Sequence, residues 1–156
     1  MIDHGMKAAE LFVQGYNCAQ ALVVAYADLL DQDPVYLARL SSSFGGGIGR
    51  MREVCGAVTG MMMVAGLLYG YSVPGDDGIK KAHYTLVQDL AAQFREQTGS
   101  IVCREILKNP PTDPNPTPRT AEFYKIRPCA RMVLLAGRIL DAYIAEHPPE
   151  PMAQKA

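Results

Sequence analysis

From Phe44 to Gly70 the chain reads FGGGIGRMREVCGAVTGMMMVAGLLYG, and this stretch limits the fold more than any other. Three successive glycines, Gly45, Gly46 and Gly47, permit positive φ angles that other residues avoid, so they read as a tight loop approaching something closely. Val54 to Tyr71 then runs 18 residues without a charge, with glycines at 56, 60, 66 and 70. That length stands at the lower edge of a membrane-spanning helix. Four glycines, a threonine and two tyrosines leave the run only moderately apolar, so it reads as a helix buried at the centre of a globular fold. The Gly56 to Gly60 step favours close helix packing, either inside the fold or across a homodimer.

The rest of the chain predicts helices to surround it. Met6, Leu11 and Phe12 mark a first helix over 6–13, stopped at Gly15. Asn17 caps a second over Cys18 to Leu30, with a stripe of Ala21, Leu22, Ala25, Tyr26 and Leu29. Asp33 and Pro34 open a short one over 35–42. Asp76 or Asp77 caps a long amphipathic helix over 79–97 that stops at Gly99, with Ala82, Leu86, Leu90 and Phe94 stepping by four. Ser100 caps a short helix to Leu107, and Pro128 starts the last one, whose core face is Ala130, Val133, Leu134, Ala136, Leu140 and Tyr143. No alternating pattern signals a strand.

The expected fold is therefore all-α: a compact bundle of five to six helices around a buried glycine-rich central helix. It forms one domain over 1–147, with a proline-rich loop at 109–127 and a flexible tail at 148–156. Five prolines within NPPTDPNPTP (109–118) mark that loop as an insertion or lid. Hydrophobic content of 49% and charge of 20% suit a soluble globular protein, and a net charge of -1 argues against a nucleic-acid surface. The N-terminus MIDHGMKAAELF carries charges and has no secretory h-region, so a cytoplasmic protein without membrane attachment is expected.

Four cysteines stand at 18, 55, 103 and 129, separated by 37, 48 and 26 residues. No CxxC pair or CxxCH is present, so zinc-ribbon, ferredoxin, thioredoxin and covalent-haem spacings are absent. Yet Cys18, Cys103 and Cys129 each follow a helix start signal by three residues or fewer. Free N–H groups and the helix dipole stabilise a thiolate there, and Arg52, Arg104, Arg127 and Arg131, each within three residues of a cysteine, push the same way. The bland alternative is that each cysteine is a small buried hydrophobe.

The box Cys55-Gly56-Ala57-Val58-Thr59-Gly60, preceded by Phe44-Gly45-Gly46-Gly47-Ile48-Gly49-Arg50, resembles the C_GCAxxG_C_C family of putative redox-active proteins. Cys18, Cys55, Cys103 and Cys129 match its four cysteines in order, over about residues 5 to 145. The resemblance implies a small helical protein with one four-cysteine site and names no substrate.

Other motifs add less. Neither GxGxxG nor GxxxxGK[ST] fits residues 45–52, so the glycine loop is not a nucleotide cradle. Gly45, Gly46, Gly47 and Arg50, with Gly56, are instead expected to line a pocket beside Cys55 that holds a small anion, or else to form a tight turn where helices cross. Met61, Met62 and Met63 point to different sides of a helix and read as core, not as copper ligands. His4, His83 and His147 are scattered and give no Cys/His set, and Asp76 and Asp77 read as caps. Three functions remain open: a thiol–disulfide redox site centred on Cys55 and served by a redox partner or small molecule; a four-cysteine iron–sulfur or zinc site; and a binding domain with core cysteines.

Overall fold

The structure, a computed structural model, describes residues 2–151. It is all-helical: α1 (His4–Val13), α2 (Cys18–Ala25), α3 (Ala27–Leu30), α4 (Pro34–Ser41), α5 (Gly56–Tyr69), α6 (Asp77–Thr98), α7 (Cys103–Ile106), α8 (Ala121–Ile126) and α9 (Cys129–Glu146), with a 3-10 turn over Ser42–Phe44. Nine α-helices among the described residues exceed the expected five to six because α3 and α7 are single turns and α8 lies in a segment expected as loop. The expected helix over 18–30 divides at Tyr26, whose φ of -96° and ψ of 10° leave helical geometry between α2 and α3. The proline-rich segment, expected as loop to residue 127, contains α8, which Thr120 caps by accepting from the Phe123 N–H at 3.2 Å. Of the tail expected at 148–156, residues 152–156 lie outside the described residues.

Most helix starts follow their caps. Asn17 and Gln20 form a reciprocal capping box on α2, Asp33 precedes Pro34 at the start of α4, and Asp76 caps α6, which Gly99 closes at φ 89°. Ser100 instead accepts from the Val102 N–H, so α7 begins only at Cys103.

Glycines set the closest approaches. A Cβ on Gly56 would come 2.9 Å from Ala19 N, and one on Gly60 3.1 Å from Ala19 O, so the small-residue step packs α5 on α2 within the chain. Gly5 and Gly137 do the same where α1 crosses α9, and neither could carry a Cβ without collision. Between these crossings Phe12, Leu22, Tyr26, Met61, Leu90, Phe94 and Leu140 are almost wholly buried. Met61 is core, as expected, with Met62 and Met63 packed half-buried beside it. In α6, Leu86, Leu90 and Phe94 are buried but Ala82 is exposed, so its first two turns stand clear of the core. Among the described residues no helix is long and apolar enough to cross a membrane.

A polar network closes one end of this core. His4 is only 6% exposed, with Nδ1 2.8 Å from Asp141 Oδ1 and Nε2 3.0 Å from Asp28 Oδ1. Its ring stacks on Tyr26 at 4.2 Å, and the Tyr26 hydroxyl lies 2.8 Å from Gly137 O and 3.0 Å from Asp141 Oδ1. Burial lowers the His4 pKa, but bonds to Asp141 and Asp28 outweigh it and the net shift is upward. The histidine therefore ties α1 to α3 and α9.

Candidate functional site

Each cysteine begins a helix. Cys18, Cys103 and Cys129 are the first residues of α2, α7 and α9, and Cys55 is the N-cap of α5. All four thiols are free. Cys18 and Cys129 are half-buried and line a cavity of about 320 Å³, while Cys55 and Cys103 are buried. Glycines let two of them pack closely: Cys18 Cβ lies 3.0 Å from where a Gly56 side chain would begin, and Cys103 Cβ 2.7 Å from where one on Gly47 would. An isolated antiparallel bridge, Val54 to Val102, joins the two buried cysteines' segments. Across it the Cys55 N–H donates to Ile101 O at 2.8 Å and the Cys103 N–H to Glu53 O at 2.6 Å. This local pairing has no alternating pattern and leaves no trace in the sequence.

The glycine loop is a left-handed turn. Gly46, Gly47, Ile48, Gly49 and Arg50 have φ of 64°, 70°, 67°, 53° and 68°, and Arg52 follows at 62°. Glycine adopts this geometry freely, whereas Ile48, Arg50 and Arg52 each cost roughly 1–2 kcal/mol there. Backbone bonds hold it, with the Arg52 N–H donating to Gly46 O at 3.1 Å and the Glu53 N–H to Gly47 O at 2.8 Å. Gly45 itself is extended, and its lack of a side chain admits Asn17. The strained turn turns two guanidiniums onto the proline-rich segment. Arg50 bonds Asp113 O and, at 2.8 Å, Thr117 Oγ1; Arg52 donates to Pro111 O at 2.9 Å and to Cys103 Sγ at 3.8 Å.

The four thiols have different acidities. Hydrogen bonding from Cys129 is the largest influence on Cys18 and outweighs burial. The N–H groups of Gly46 and Cys18 and the Arg119 guanidinium add to it, bringing Cys18 down to about 7. The same bond holds the proton on Cys129, whose pKa is raised, with burial adding to the effect. Burial also raises Cys55, despite the N–H groups of Ala57 and Val58, and raises Cys103, despite Arg52. The expectation that helix starts acidify Cys103 and Cys129 is corrected: burial dominates at Cys103, and the hydrogen bond to Cys18 dominates at Cys129.

Gly45, Gly46 and Arg50, expected beside Cys55, line the cavity with Cys18 and Cys129, and Cys55 is not among its lining residues. Gly47 packs on Cys103, and Gly56 on Cys18. Of the arginines read from local spacing, Arg52 bonds Cys103 and Arg127 lines the cavity, whereas Arg104 pairs with Glu53 at 2.5 Å. Sequence reasoning misses Gly49 and Arg119. The Arg119 guanidinium sits 4.3 Å from the Phe12 ring and 4.9 Å from the Phe123 ring, and donates to Phe12 O at 3.0 Å. Its position one residue beyond the last proline of an aperiodic run, far from Phe12 in sequence, gave no spacing to read. Among the described residues no group of three or more His, Cys, Asp or Glu side chains is arranged to hold a metal ion.

An all-helical chain that sets two half-buried thiols at a cavity and buries two others is a small helical thiol protein. A family model described as "Putative redox-active protein (C_GCAxxG_C_C)" matches residues 16–143, and the chain belongs to that family. Neither a curated protein nor a solved structure matches it.

Proposed function

We propose that the protein carries out thiol–disulfide exchange, with Cys18 as the attacking thiolate and Cys129 as the resolving thiol. The observation that carries this reading is that Cys18 and Cys129 line one cavity, where hydrogen bonding from Cys129 brings the Cys18 thiol down to about 7. A thiolate near neutral pH beside a protonated partner is the arrangement exchange requires, since the first thiol attacks and the second closes the disulfide. Cys55, expected at the centre of the chemistry, is buried and holds its proton, so it backs the pair without leading the attack. The family's redox description supports the same direction.

The test is oxidation of the reduced protein by one equivalent of diamide, followed by peptide mapping and metal analysis of the starting material. The expected product is a Cys18–Cys129 disulfide, reversed by dithiothreitol. A dominant disulfide through Cys55, or near-stoichiometric iron or zinc lost in Cys129→Ser, would displace this reading.

A further inference from the structure

Four arginines, Arg50, Arg52, Arg119 and Arg127, line the cavity at Cys18, and no aspartate or glutamate does. Arg50 is paired, with Nη1 3.3 Å from Asp113 Oδ2. Among the described residues Arg52, Arg119 and Arg127 meet no carboxylate, and Arg52 is only 4% exposed. Arg52 is buried and donates to Pro111 O and Cys103 Sγ, whereas Arg127 is half-buried and Arg119 exposed, so the cavity carries an excess of positive charge that favours an occupant supplying negative charge. The cations also come from separate walls. Arg50 and Arg52 rise from the left-handed turn, Arg119 from the proline-rich segment docked on the end of α1, and Arg127 from the residue pair before α9. Between them the lining is apolar, from Phe12, Phe123, Pro114 and Pro116.

Volume separates an inorganic ion from an organic one. A cavity of about 320 Å³ is about ten times a water molecule's share of the liquid and falls in the range of small-molecule sites. It suits a body with an apolar middle and anionic ends.

We propose that the cavity binds a small organic disulfide bearing an anionic group at each end, presented to Cys18 by the surrounding arginines. This rests on the exchange reading above and supplies its substrate class. The Cys18 thiolate attacks one substrate sulfur, forming a mixed disulfide and releasing the first half as a thiolate. Cys129 gives its proton to that thiolate, and its sulfur displaces the second half from Cys18. The substrate takes up two electrons and leaves as one thiol and one thiolate. The protein becomes the Cys18–Cys129 disulfide with no further reactant in that turnover.

Stopped-flow oxidation of the reduced protein by three linear disulfides tests this: 3,3'-dithiodipropionate, bis(2-hydroxyethyl) disulfide and cystamine, being dianion, neutral and dication. Each rate is divided by the rate of the same disulfide with 2-mercaptoethanol at the same pH, because a free thiolate intrinsically favours the cation. The dianion is expected to exceed the neutral disulfide by about tenfold or more at low salt, with cystamine slowest. Arg127→Gln is expected to cut the ratio of dianion to neutral rate by roughly fivefold, with the variant's circular dichroism and thermal midpoint showing that it folds. Adipate should slow the dianion reaction where sulfate at equal concentration does not. A dianion no faster than the neutral disulfide, an unaffected variant, or equal inhibition by sulfate would overturn the proposal while leaving the exchange reading in place. Failure of the neutral disulfide to oxidise Cys18 would instead remove the exchange reading.

Discussion

At the scale of single residues, Cys18 and His4 show opposite ways for a neighbour to set a proton. Cys18 is acidic because Cys129 donates to its thiolate. Its alkylation by iodoacetamide, followed by mass spectrometry, should rise with a midpoint near pH 7. In Cys129→Ala that midpoint should move up toward the ordinary thiol value of about 8.5. Because its folded pKa is lowered, the thiolate's contribution to stability is present above the unfolded pKa and is lost as pH falls through about 7. His4 runs the other way. Its pKa is raised, so its charged bonds to Asp141 and Asp28 stabilise the fold below its unfolded value and weaken as pH rises through the folded one. His4→Gln is expected to cost about 2 kcal/mol at pH 5.5 and less at pH 8, read from urea midpoints. An equal cost at both values would mean that the imidazole acts only by packing on Tyr26. Neither partnership could be read from the sequence, since Asp141 lies 137 residues from His4 and Cys129 lies 111 positions beyond Cys18.

At the scale of elements, the left-handed turn and the α2–α5 crossing position the thiols. Adding a methyl at Gly47 would combine φ of 70° with a 2.7 Å approach to the Cys103 Cβ and to Glu53 N. Gly47→Ala should therefore lose about 2–4 kcal/mol of stability by denaturant unfolding. Gly56→Ala should lose about 1–3 kcal/mol from overpacking against Ala19 N and Cys18 Cβ. It should also slow Cys18 alkylation, because the residue displaced is the nucleophile's own neighbour. A stable Gly56→Ala protein with normal alkylation would show that the crossing does not hold Cys18 in place. Three of the turn's residues carry side chains at positive φ, and no sequence rule assigns that geometry to an isoleucine or an arginine. The glycines announced a turn; its hand and length came from the backbone bonds that lock it.

At the scale of the whole molecule, stability is uneven. Amides in α2 and α5, whose side chains are mostly buried, are expected to exchange slowest with deuterium, and those in the exposed first two turns of α6 fastest among the long helices. Uniform exchange along α6 would contradict this. The sequence by itself determined that the chain is helical, where most helices begin, that Met61 is interior, and that its four cysteines resemble a redox family's. Caps, apolar spacing and glycine steps act over a few residues, so they are written locally. Only the tertiary structure decided that Cys18 and Cys129 line one cavity, that Cys55 and Cys103 are buried, and that Arg119 reaches the cavity. Those relations depend on where α2, α9 and the proline-rich segment dock. At Cys55 and Cys103 burial then reverses the acidity that a helix start alone would confer.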